Sequence, residues 1–302
     1  MFGRPFGRQD ARAGGLSRDR ITRLVETGLL RQVVRGVYLD ARVPDDVGVR
    51  AACVSLKLPS DAVVCRRTAA WLLGIDGRGP SELFVPMPVE CAVPPGRQPV
   101  RRPGVIGVSA PPGNEIVVVR GVPCTTAMRT AIDVLRWCPP RLALGIVDAL
   151  AARGDVDPVE LSARLVEFGA MRGVRQARYL AGLVEPLAQS MGESWLRLRM
   201  VDAGFPRPRA QIPVYDEHEV LLALLDMGWE RDRVAVEYDG EEFHSTPEQV
   251  AHDLRRRELL EREYGWRILA VGKGEVLGRS LALEWAVGEL LGREPRISRR
   301  RW

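Results

Sequence analysis

The chain has 302 residues, 46% of them hydrophobic and 27% charged, with a formal net charge of +5. That is long enough for two or three domains and apolar enough to bury their cores. No apolar run reaches membrane-spanning length, and Met1-Phe-Gly-Arg-Pro-Phe-Gly-Arg8 leads into no secretory apolar core, so a cytoplasmic protein without a membrane partner is expected. Cys53, Cys65, Cys91, Cys124 and Cys138 are odd in number and contain no Cys-x-x-Cys pair, which argues against a zinc site or a disulfide framework. No Walker motif, dinucleotide fingerprint or nucleophile elbow is present. The basic balance fits a polyanion partner without demanding one. Lys57 and Lys273 are the only lysines, and a GC-rich genome explains this better than phosphate recognition does.

In chain order, Gly15-Leu-Ser-Arg-Asp-Arg-Ile-Thr-Arg-Leu-Val-Glu-Thr-Gly28 predicts a helix with Ser17 as N-cap, Ile21, Leu24 and Val25 on one face and Gly28 as stop. Leu29 to Leu39 then reads as a strand, a turn at Gly36 and a returning strand. Helix followed by hairpin is a winged-helix signature. Arg18, Arg20 and Arg23 fall on or near the exposed side of the helix, and Arg31 and Arg35 in the wing. Solvated arginines would look the same, but such a helix placed in a major groove uses Arg for phosphates and guanine edges.

This Gly-Leu-Ser-Arg, Gly-Leu-Leu, Arg-Gly-Val-Tyr pattern resembles the N-terminal domain of AbiEi-type antitoxins, regulators in bacterial type IV toxin–antitoxin pairs. Ala69-Ala-Trp-Leu-Leu-Gly74 and Arg129-Thr-Ala-Ile-Asp133 look like later pieces of the same architecture. The resemblance implies DNA binding and, less directly, a cognate toxin. The Pro- and Gly-rich run 85–112 predicts short strands and loops, helical spacing returns over 126–150, and Asp157-Pro158 marks a further helix start.

Beyond residue 186 the pattern changes. Gly192 to Val201 has helical spacing with Glu193 in its first turn, where an acid is also favoured by the helix dipole alone. Gln211 to Val214 reads as a strand, and Val220 to Trp229 as a second one carrying Asp226. Glu230-Arg-Asp232 then turns the chain into Val234-Ala-Val-Glu-Tyr-Asp239. Alternation puts Glu237 and Asp239 on one face and Val234 and Val236 on the other, and the hairpin brings Asp226 beside Glu237. Converging carboxylates suit a hard divalent cation. Thr246-Pro247 starts a helix in which Val250, Leu254 and the Leu259-Leu260 pair are expected to pack while Arg255, Arg256 and Arg257 flank them, as solvated charges or as a phosphate clamp. A strand over 266–271 and a helix over 276–291 follow.

Asp226, Glu237-Tyr-Asp239-Gly, His244, Asp253-Leu-Arg-Arg-Arg-Glu-Leu-Leu and Gly265-Trp-Arg-Ile-Leu together resemble the Vsr-like branch of the PD-(D/E)xK nuclease superfamily, over about residues 187 to 292. The resemblance implies a catalytic set of Asp226, Glu237, Asp239, His244 and Glu193. Asp226, Glu237 and Asp239 would hold Mg²⁺, or Mn²⁺ in its place, and His244 would act as base or proton shuttle. The superfamily lysine is replaced here by Asp239.

The expected fold class is α/β. A winged helix-turn-helix spans 1–45, a middle AbiEi-like α+β region 46–185, and a restriction-endonuclease-like αβββαβ core 186–302. Two functions follow from this reading. One is a metal-dependent DNA endonuclease hydrolysing phosphodiester bonds in defence or repair; double-strand cutting often uses two active sites, which leaves room for a homodimer. The other is a non-catalytic DNA-binding transcriptional regulator or antitoxin.

Overall fold

The computed structural model describes residues 3–79, 86–94, 96–109, 115–240 and 247–296. His244 and the Thr246 cap lie outside them. The chain divides into two compact units, Met1–Cys138 with Ala163–Ala177 and Pro139–Ser162 with Arg178–Trp302.

The first unit opens with β1 (Phe6–Gly7), α1 (Arg8–Ala13), α2 (Arg18–Glu26) and the hairpin β2 (Leu30–Val34) and β3 (Val37–Asp40). Ser17 caps α2 by accepting from the Arg20 N–H at 3.2 Å. Ile21 enters a small core with Phe6, Ala11, Leu30 and Tyr38, flanked by Leu24 and Val25. The hairpin turns through Gly36, whose φ of 80° is one that a side chain would resist. The three strands run in the order β1-β3-β2, both pairs antiparallel.

Next come α3 (Val47–Ser55), β4 (Val63–Val64), α4 (Arg66–Leu72), β5 (Val89–Val93), β6 (Arg101–Arg102), β7 (Val105–Ser109), β8 (Ile116–Val119), β9 (Val122–Thr125) and α5 (Ala127–Trp137). These strands form one six-stranded mixed sheet in the order β6-β7-β5-β4-β9-β8. Its Val64, Val89 and Cys124 pack with Ala69, Trp71 and Leu72 of α4. All five cysteines are buried, and none forms a disulfide. Burial pushes the Cys53 and Cys124 thiols up to about 12.

The chain continues through α6 (Pro140–Ala152), α7 (Pro158–Val166), α8 (Val174–Ala181) and α9 (Met191–Asp202). There follow β10 (Arg209–Tyr215), β11 (Leu221–Trp229), β12 (Val234–Asp239), α10 (Pro247–Tyr264), β13 (Arg267–Gly272), α11 (Lys273–Leu277) and α12 (Ala282–Leu291). The sheet order is β10-β11-β12-β13, with the first two pairs antiparallel and the last parallel. Both faces of β12 are covered. Val234 and Val236 join Trp195, Leu196 and Met200 of α9, while Ala235 joins Ile212, Leu225, Leu260 and Trp266.

Three local devices fix this second unit. Gly192 lets α9 lie against β12, because a Cβ there would fall 2.0 Å from the Tyr238 ring. Gln211 adopts a left-handed φ of 49° at the register position of Asp226. At that point β11 changes the core it serves, Leu225 belonging to one cluster and Met227 to the other. Finally, Arg199 binds both oxygens of Glu284 at 2.7 Å and donates to the carbonyls of Glu275, Val276, Gly278 and Ser280.

Helix α10 departs from its expected packing. Leu254 is 54% and Leu259 44% exposed, and only Leu260 of the expected set is buried among the described side chains. Arg256 and Arg257 turn inward instead, for a reason that lies in the site below. Among the described residues no helix is long and apolar enough to cross a membrane.

Candidate functional site

In the first unit, α2 presents Arg18, Arg20 and Arg23 to solvent, and Arg35 is exposed at the hairpin turn. Among the described residues no carboxylate pairs with any of the four. Arg31 does not belong with them. It is half-buried, and its Nη2 donates to the Val43 carbonyl at 2.9 Å, which ties the hairpin to the chain that follows.

In the second unit, three carboxylates converge. Ser190 caps α9 by accepting from the Glu193 N–H at 3.1 Å, which holds Glu193 in the first turn. The Glu193 side chain is buried and accepts from the Gln189 N–H and from Gln211 Nε2, each at 3.1 Å. Asp226 accepts from the Tyr238 N–H at 2.8 Å, one residue beyond Glu237. Glu237 is buried, and both its oxygens are taken by arginines: Arg256 forks onto Oε1 and Oε2 at 3.0 Å each, and Arg257 Nε adds a bond at 2.9 Å. A buried carboxylate needs such partners, and this need draws Arg256 and Arg257 inward at the expense of Leu254 and Leu259.

The electrostatics follow from this arrangement. Burial, then the Glu193 carboxylate, push the Asp226 carboxyl up to about 7; the Glu237 carboxylate adds to the rise, against the Tyr238 N–H and Arg256. Burial also raises Glu193.

The expected metal set does not assemble. Asp239 is 67% exposed and, among the described residues, pairs with Arg257 alone, at 3.8 Å. Among the described residues no three His, Cys, Asp or Glu side chains are grouped so as to hold a metal ion. With Glu237 saturated by two guanidinium groups, the residues as arranged do not fit Mg²⁺ or Mn²⁺. Arg255 is exposed, and His244 lies outside the described residues. The contacts of Arg256 and Arg257 with Glu237 were not among the expected roles of these arginines; a buried strand acid followed by a run of arginines was the signal for them.

Residues 62–183 match the family model of the AbiEi antitoxin C-terminal domain. The uncharacterized protein Rv2248 of Mycobacterium tuberculosis strain H37Rv is 30% identical over 258 residues, which make up 85% of this chain and 90% of the mycobacterial one. The chain belongs to the same family as Rv2248. The uncharacterized protein MT2308 of strain CDC 1551 shows the same identity and coverage. The crystal structure of RV2827C protein from Mycobacterium tuberculosis covers 72% of this chain and 86% of its own, with 16% identity and a TM-score of 0.33. The AbiEi match in this family member falls on the middle of the chain and takes in both Ala69–Gly74 and Arg129–Asp133, whereas the motif read from the sequence lay mainly in the first forty residues.

Proposed function

We propose that this protein is a non-catalytic DNA-binding regulator of the antitoxin kind, with DNA and a cognate toxin as its partners. The observation that carries the reading is the set of exposed arginines on α2 and at the adjoining hairpin turn, none with a carboxylate partner among the described residues. The AbiEi match over residues 62–183 supports it. In this reading α2 lies in the major groove, with the hairpin as its wing, and the arginines contact phosphates and guanine edges.

Duplex DNA binding measured by fluorescence anisotropy across a salt series tests this. The Arg20→Ala/Arg23→Ala double variant is expected to bind about 10- to 100-fold more weakly, with the log–log salt slope reduced by about 2 if both side chains contact phosphates. Equal affinity and slope in parent and variant would remove α2 from the interface.

A metal-dependent DNA endonuclease is the second reading, favoured by the convergence of Glu193, Asp226 and Glu237. It requires Arg256 and Arg257 to release Glu237 so that Mg²⁺ or Mn²⁺ can enter. Duplex, mismatched and single-stranded DNA incubated with either metal, and with chelator, should be cut by the parent and left whole by Asp226→Ala. Cleavage at equal rates by both proteins would sink the assignment, and cleavage by neither would leave the regulator.

A further inference from the structure

We propose that the cleft between α1, α2 and the β2–β3 hairpin binds a small amphipathic anion, an alkyl or aryl carboxylate, which competes with DNA. The cleft has a volume of about 530 Å³, inside the range of about 300 to 1,000 Å³ in which small ligands are held. Arg8 and Arg12 stand one helical turn apart on α1, Arg18 begins α2, and Arg35 comes from the hairpin turn; all four line the cleft. All four are exposed, and none has a carboxylate partner among the described residues. Among the described residues Glu26 is the only acid on the wall.

The remaining wall is what separates this site from a simple phosphate-binding surface. Leu16, Ile21, Val25 and Tyr38 line it, and all four belong to or pack on the small core of this region. A phosphate backbone has no use for an apolar floor, since its contacts are charged and hydrated. A carboxylate with a hydrocarbon or aromatic body uses both parts. Its oxygens take forked hydrogen bonds from guanidinium groups, and its body covers the apolar side chains. Arg8 and Arg12 are not among the arginines assigned to DNA above, whereas Arg18 and Arg35 are, so an occupant would withdraw two of the DNA contacts. This competition rests on the DNA-binding reading; the ligand site itself does not.

The test uses the full chain and the fluorescent probe 1-anilinonaphthalene-8-sulfonate, an aromatic anion that brightens in apolar surroundings, with decanoate as competitor. The parent should bind the probe saturably and lose it to decanoate, and Arg8→Gln/Arg12→Gln should weaken both ligands at least tenfold. Equal probe affinity in parent and variant, or failure of decanoate to displace it, would overturn the site. In a second arm, saturating decanoate should lower duplex DNA affinity at least tenfold in the parent and much less in the variant. DNA binding that ignores bound decanoate would overturn the competition. Probe binding that depends on Arg8 and Arg12, in a protein with no DNA affinity, would uphold the site while refuting the DNA reading.

Discussion

Replacing Arg199 by methionine is expected to destabilise the second unit by about 3 to 5 kcal/mol, the usual effect of stranding one member of a buried ion pair. The change would leave the Glu284 carboxylate, only 4% exposed, without its cation. It would also deprive the carbonyls of Glu275, Val276, Gly278 and Ser280 of a donor. Removing the charge alone does not repair this. In Arg199→Met/Glu284→Leu the buried carboxylate is gone but four carbonyls still lack the guanidinium, so stability should recover only in part. Guanidinium unfolding followed by tryptophan fluorescence measures both variants. A loss below about 1 kcal/mol in the single variant would mean that solvent reaches Glu284 and the carbonyls once the arginine is absent.

Asp226→Asn should make the protein more stable at pH 8, by about 2 to 4 kcal/mol, and leave it unchanged near pH 4. The sign follows from the direction of the shift. The folded protein holds the Asp226 carboxyl at about 7, against an ordinary value of 3.8, so folding favours the protonated form. Stability from this group is complete below about pH 4 and is lost as the pH rises towards 7, at about 1.4 kcal/mol per unit before relaxation reduces it. Asparagine is neutral throughout and keeps an oxygen for the Tyr238 N–H. Thermal or chemical unfolding of both proteins across this pH range is the measurement, and parallel curves would show that Asp226 ionises freely. Repeating it with Mg²⁺ adds a readout independent of cleavage. Under the endonuclease reading the cation should stabilise the parent and not Asp226→Asn, and under the regulator reading neither protein should respond.

The elements defined by local chemistry were legible in the sequence. Ser17 and the spacing of Ile21, Leu24 and Val25 define α2. Alternation in β12 separates Val234 and Val236 from Glu237, and the turn over Glu230–Asp232 brings Asp226 next to Glu237 in register. The six-stranded sheet was not legible, because its strands are two to five residues long and several pair across long stretches of chain. Helix α10 misled for an energetic reason. Apolar periodicity weighs Leu254 and Leu259 but not a buried acid some twenty residues earlier, and leaving Glu237 unpaired would cost more than exposing two leucines. Composition likewise cannot show that the Arg31 guanidinium meets the Val43 carbonyl. Arg8 and Arg12 passed unnoticed because a cleft is a property of three elements meeting, and α1 alone gives no sign of it.

The buried thiols make the two units separately readable. All five cysteines fall within Met1–Cys138, the larger segment of the first unit, and none lies in the second. A thiolate is the reactive form, and burial holds Cys53 and Cys124 far from it at neutral pH. A thiol-directed dye will therefore modify the native chain slowly, and each labelling event will mark an opening of the first unit. Labelling kinetics during a denaturant titration then isolate that unit's unfolding without an engineered reporter, whereas tryptophan fluorescence sums Trp71 and Trp137 of the first unit with Trp195, Trp229 and Trp266 of the second, so a fluorescence change unmatched by labelling belongs to the second unit.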